Sequence, residues 1–176
     1  RFVPGQTTMS VFMTMPSAPL GIMMTPSGQI YVSAVNNKVY EVSSGSAVEF
    51  ASGLSGPRNL LYTPSGILVV EQMSGQVTNL GFTGGNMQFT APLAWGLREP
   101  KDIEIWNGRQ YAAAEDGVYD VTGGGAMTQA ERWASGQNYL ALASTASSLF
   151  AINADDSPRI FDITQGGAFL KSAAWG

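Results

Sequence analysis

The chain contains no histidine and no cysteine. Without histidine, no Ser-His-Asp hydrolytic triad can be built from its many serines. Without cysteine, it is not a small scaffold stapled by disulfides. Charge is also scarce: charged residues make up 12% of the sequence and the net charge is -4. There is no basic run, so the chain lacks the electrostatic footprint that a phosphate backbone requires, and nucleic acid is not an expected partner. No apolar run approaches the roughly 18 residues of a spanning helix. The opening stretch has no basic flank and is broken by Pro16 and Pro19, so neither a membrane span nor a signal peptide is expected.

The 176 residues are 44% hydrophobic, enough for one compact domain. The 21 glycines and 9 prolines are spread along the chain, which predicts many short turns rather than one linker. Low charge and abundant Ser, Thr, Gly, Ala and Asn lean toward export, to a secreted or periplasmic location.

Self-similarity organises the rest. Pro19–Ser33, Pro57–Glu71, Pro100–Ala114 and Asn138–Ile152 each read as a short apolar run, a turn and a second short apolar run. A third, alternating run follows in each unit, at Lys38–Val42, Gln76–Leu80, Gly117–Val121 and Arg159–Ile163. A glycine-rich turn comes next, as in Thr83-Gly-Gly-Asn and Thr122-Gly-Gly-Gly. Fourth runs close the units at Ala47–Ala51, Met87–Ala91, Gln129–Ala134 and Ala168–Ala173.

Four short strands per roughly 40 residues predict an all-β fold, a β-propeller of four-stranded antiparallel blades. The expected divisions of this single domain, residues 1–176, are a partial blade over 1–16 and blades over 17–55, 56–98, 99–137 and 138–176. About four and a half blades do not close an obvious ring. The chain is therefore expected to be a processed part of a larger ring, or to be completed by another chain. Five of the eight methionines fall between Thr8 and Met24. Met9–Met15 is expected as the outermost strand of a preceding blade, and Gly21–Met24 as the innermost strand of the next. Their thioethers are expected to fill space between blades rather than to bind a soft metal.

The phrase from Ser52 to Glu71, SGLSGPRNLLYTPSGILVVE, resembles the repeat unit of NHL-type six-bladed propellers. That superfamily includes virginiamycin B lyase and the gluconolactonase/regucalcin group. The resemblance is architectural. It implies the fold, and the absence of histidine departs from the histidine-dependent lyases. Gluconolactonase-like enzymes hold a divalent cation in the channel with Glu, Asn and Asp, which leaves a metal-dependent lactonase-like hydrolase as an alternative to a binding protein.

In a propeller, the loops between strands 4 and 1 and between strands 2 and 3 share one face. That face collects Lys38, Arg58, Glu71, Arg98, Glu99, Lys101, Asp102, Glu115, Asp116, Asp155 and Asp156, whereas Arg109 is the only evident charge on the other. Arg58, Asn59, Lys101 and Asp102 follow the prolines that open inner strands, so they are expected at the channel mouth as ligand-binding residues. Tyr139 stands near the start of the fourth inner strand, and Trp106 is expected in an exposed turn; both join that set. Glu71, Glu115 and Asp116 could supply oxygen ligands to Ca²⁺. Trp95, Trp133 and Trp175 recur near the ends of fourth strands, where packing between blades is expected. The leading expectation is a non-enzymatic binding or scaffold propeller that presents the charged face to a protein, glycan or small ligand. A third reading is self-assembly through a second copy.

Overall fold

The computed structural model describes residues 11–43, 45–154 and 159–168. Four consecutive β-sheets account for nearly all the regular structure. The first contains β1 (Pro19–Met24), β2 (Ile30–Ala34), β3 (Lys38–Glu41) and β4 (Val48–Ser52). The second contains β5 (Pro57–Thr63), β6 (Gly66–Glu71) and β7 (Gln76–Asn79). After β8 (Gly85–Asn86), it is completed by β9 (Ala94–Trp95). The third contains β10 (Asp102–Trp106), β11 (Arg109–Ala114) and β12 (Gly117–Asp120). After β13 (Gly125–Ala126), it is completed by β14 (Arg132–Ser135). The fourth contains β15 (Tyr139–Ser144), β16 (Leu149–Asn153) and β17 (Ile160–Asp162), followed by β18 (Gly167–Ala168). Within each sheet, consecutive strands pair antiparallel. Strands β1, β5, β10 and β15 lie next to one another as the inner strands. These sheets are the blades of a β-propeller, as the repeat predicts.

The blades pack face to face through three apolar cores. Tyr31, Val39 and Ala51 of the first blade meet Leu60, Ile67 and Val69 of the second. Leu68, Val70 and Val77 then meet Ile103, Ala112 and Val121 of the third. Tyr111, Ala113 and Val118 meet Leu142, Leu149 and Ala151 of the fourth. Strand β6 is buried along its whole length, which explains why its sequence, GILVVE, is a near-continuous apolar run rather than an alternation.

The glycine-rich turns do more than reverse the chain. Strand β8 pairs in parallel with β4, β13 with β9, and β18 with β14. Each of the first three blades therefore receives a short fifth strand from the next blade's sequence. The approach is so close that a Cβ on Gly124 would lie 2.6 Å from the Leu93 carbonyl oxygen, and one on Gly166 would lie 2.5 Å from that of Trp133. Gly84 meets the Phe50 carbonyl in the same way. All three are at positive φ, a conformation that glycine alone adopts freely.

Several expectations need correction. Residues 11–15 form no strand; instead Met13 and Met15 pack onto Val32, Ala34, Tyr40 and Val42 of the first blade. Arg1–Ser10, with Met9, lie outside the described residues. The fourth strand of the second blade is Ala94–Trp95, not Met87–Ala91, because Gly85–Asn86 first crosses to the preceding blade. Gln129–Glu131 is a 3-10 turn with a Thr128–Glu131 capping box, and β14 starts only at Arg132. Most of Ala168–Ala173, together with Trp175, lies outside the described residues.

Candidate functional site at the channel mouth

Three of the four inner strands are irregular at the same point. The register shifts between Pro19 and Gly21, between Pro57 and Leu60, and between Tyr139 and Ala141. Such bulges re-aim side chains and mark the rims of sheets where sites form. Here they turn Leu20, Arg58, Asn59 and Leu140 into a cavity of about 390 Å³, which Lys101, Asp102 and Ala141 complete. Four of the six sequence-predicted ligand residues, Arg58, Asn59, Lys101 and Asp102, thus come together.

Asp102 organises the floor. It is buried and accepts hydrogen bonds from the Ile103 amide at 2.8 Å, the Leu142 amide at 2.6 Å and the Asn59 side chain. One carboxylate thereby ties β5, β10 and β15 together. Burial pushes its carboxyl above the usual aspartate range, against the pull of those three hydrogen bonds. Two residues along the same strand, burial also pushes Glu104 up, and the nearby Asp102 charge adds to this. Glu104 accepts from the Ile105 amide at 3.0 Å and the Ser144 hydroxyl at 3.2 Å.

The two cations of the mouth have amide partners. Arg58 Nε donates to Gln72 Oε1 at 2.6 Å, and Lys101 Nζ donates to Asn138 Oδ1 at 2.6 Å. Among the described residues neither forms an ion pair; the four salt bridges are Lys38–Glu49, Arg98–Glu115, Arg109–Asp120 and Arg132–Asp116. Asp120 shows that Arg109 is not the only charge on the opposite face.

Trp106 and Tyr139 do not belong to this site. Trp106 is the last residue of β10 and is buried against Tyr111 and Trp133. The turn is made instead by Asn107 and Gly108, both at positive φ, an Asn-Gly pair that fits a two-residue hairpin. Tyr139 is buried in the core between the third and fourth blades, edge-on to Phe161. Of the fourth-strand tryptophans, Trp133 packs as expected and donates to the Ile163 carbonyl at 2.7 Å, whereas Trp95 is exposed.

The proposed Ca²⁺ ligands are not brought together. Glu71 is buried, and its oxygens accept from the Ser55 amide at 2.6 Å, from Gln76 Nε2 at 2.9 Å and from the Thr78 hydroxyl. Glu115 pairs with Arg98 at 2.7 Å. Asp116 accepts from Arg132 and from the Tyr119 hydroxyl at 3.1 Å. Among the described residues no three of His, Cys, Asp and Glu are grouped to hold a metal ion. This donor set does not fit a cation, because each carboxylate is already satisfied by protein donors.

Leu20, Leu140 and Ala141 are mouth residues that the sequence reading missed. The signal was present in the repeat phase, since Leu20 follows Pro19 as Arg58 follows Pro57, but an apolar residue at this position carries no charge that would mark it as a ligand contact.

No protein-family model matches the chain, and no curated protein shows significant sequence similarity to it. Solved structures do resemble it. An oxidoreductase described as a glucose dehydrogenase, from Thermus thermophilus, superposes with a TM-score of 0.71 at 15% identity, over 87% of this chain and 63% of that one. Virginiamycin B lyase from Staphylococcus aureus gives 0.58 at 11% identity, over 83% and 55%. The computationally designed protein Ika4 gives 0.54 at 13% identity, over 88% and 99%. The likeness to propeller proteins supports a propeller-type relationship and shows the fold. The chain spans less than two thirds of the lengths of the two natural proteins.

Proposed function

We propose that this chain is a non-enzymatic binding propeller whose charged mouth holds a small ligand carrying a carboxylate or another anionic group. The observation that carries this reading is the pair Arg58 and Lys101. Both line the same cavity, and among the described residues each donates to a neutral side-chain amide and neither is ion-paired. Two cations held by exchangeable amide partners are poised to accept an anion, while Leu20 and Leu140 offer apolar wall to its carbon skeleton. A protein or glycan partner would engage the same mouth through an acidic group. An exported protein of NHL-type repeat construction fits the low charge and the Ser52–Glu71 phrase. The resembling oxidoreductase and lyase raise enzymatic alternatives, but a cation-dependent lactonase needs oxygen ligands that Glu71, Glu115 and Asp116 do not jointly offer.

Calorimetric titration with succinate, inorganic phosphate and glucose tests the proposal. Succinate is expected to bind and glucose not to bind. Arg58→Met and Lys101→Met should each weaken succinate by about tenfold or more, the worth of one charge-assisted hydrogen bond. Absence of binding by both anions, or unchanged affinity in the double variant, would overturn it.

A further inference from the structure

The mouth cavity holds charges of both signs that are kept apart. Arg58, Lys101 and Asp102 all line it, yet among the described residues none of the three forms an ion pair. Each is met by a side-chain amide instead. Gln72 accepts from Arg58 at 2.6 Å, Asn138 accepts from Lys101 at 2.6 Å, and Asn59 donates to Asp102. Two of these amides are held in turn: Gln72 donates onward to Glu99 at 3.2 Å, and Asn59 Oδ1 accepts from the Leu60 amide at 2.9 Å. A neutral amide orients a charge without neutralising it. The three charges stand on β5 and at the start of β10, the inner strands of the two middle blades, which are covered on both faces.

Asp102 is the charge that a simple anion leaves unanswered. All three of its partners are donors, as an ionised carboxylate requires. Oδ1 takes the Ile103 amide and Asn59, whereas Oδ2 takes only the Leu142 amide, so Oδ2 can accept one more donor. An anion alone would answer Arg58 and Lys101 but would lie beside a carboxylate that repels it. Burial already disfavours the Asp102 charge, and a cationic group in the cavity would offset that cost. We infer that the ligand of this mouth is a zwitterion, a small molecule with a carboxylate for Arg58 and Lys101 and a primary ammonium for Asp102, as in an amino acid. The inference rests on the anion-binding reading and adds the second charge to it. Leu20 and Leu140, which line the same cavity, suit an aliphatic skeleton between or beside the two charged groups.

Calorimetric titration of the unaltered protein at neutral pH with two matched pairs tests this: leucine against isocaproate, and ε-aminocaproate against caproate. Within each pair the acids share a carboxylate and an aliphatic chain and differ in the ammonium. In at least one pair the amino acid is expected to bind about tenfold or more tightly than its parent acid, the worth of a charge-assisted hydrogen bond. Asp102→Asn assigns the effect to its residue. It should weaken the preferred amino acid and strengthen the parent acid, because a negative charge leaves the cavity, whereas mere loss of structure would weaken both. The comparison within pairs on the unaltered protein holds even if that variant does not fold. A ratio below tenfold in both pairs would overturn the inference and leave the anion reading standing wherever succinate binds. Equal weakening of amino acid and parent acid in a folded Asp102→Asn would also overturn it. Failure of succinate, phosphate and all four probes to bind would overturn both readings.

Discussion

Asp102 accepts from two backbone amides and a side-chain amide with its two oxygens, so its chemistry can be tested by a single atom change. Asp102→Asn replaces one acceptor with a donor that must face an N–H group, and it should destabilise the protein by about 1–3 kcal/mol in urea unfolding. Glu104→Gln is the contrasting case, because both of its hydrogen bonds fall on the same oxygen, Oε1, and glutamine can keep them. The folded-state pKa of Glu104 is raised by burial. Its contribution to stability is therefore fully present below the ordinary glutamate value and is lost as pH rises through the higher folded value. Removing the charge should lift stability at neutral pH by less than about 1 kcal/mol, since a half-exposed carboxylate is partly solvated. The gain should vanish in acid when melting is followed from pH 4 to pH 7. Residue identity at the mouth was legible where a proline set the phase, as at Arg58, Asn59, Lys101 and Asp102. It failed at Glu71, whose acidity read as ligand capacity although Thr78 and Gln76 on the neighbouring strand consume it. Sequence spacing does not reveal which donors an adjacent strand will supply.

The elements repeat a second device at the end of the third strand in the first, third and fourth blades. Asp120 and Asp162 accept from the amides of Thr122 and Thr164, while those threonine hydroxyls accept from Gln110 and Leu149. Glu41 and Ser43 do the same for the first blade. These pairs fix the chain's exit toward the glycine turn. The turn itself offers a direct comparison. Gly81 and Gly84 are both at positive φ, but a Cβ on Gly81 meets nothing, while one on Gly84 runs into the Phe50 carbonyl. Gly81→Ala should cost roughly 1 kcal/mol of backbone strain. Gly84→Ala should cost more, because the β8 crossing must also shift, and thermal unfolding of the two variants separates these terms. Short apolar runs and turns were readable, and so was the alternation of the third strands. The fourth strand of the second blade was not, since two residues such as Ala94–Trp95 carry no periodicity, and their place is set by pairing with β7.

At the scale of the whole molecule, packing is nearest-neighbour. Each blade packs against its neighbours in sequence, so stability is close to a sum over blades and interfaces. Hydrogen exchange should find the strongest protection in β6, β7, β11 and β12, whose blades are covered on both faces, and weaker protection in β1 and β17. Equal protection across all four blades would contradict that picture. The propeller fold was legible because the same turn chemistry returns at the same phase. The covered and uncovered faces were not, because Ile22 and Leu60 are equivalent in sequence and differ only in having a neighbour. The parallel bridges β8, β13 and β18 have a further consequence, for modularity. A blade cut out at its sequence boundaries leaves behind its own outer edge strand, which is encoded in the following unit. A truncation after Ser52 would thus expose β4 as a bare template for strand pairing. Gene duplications that copy this propeller cleanly must therefore break inside a blade, beyond its glycine turn, rather than between blades.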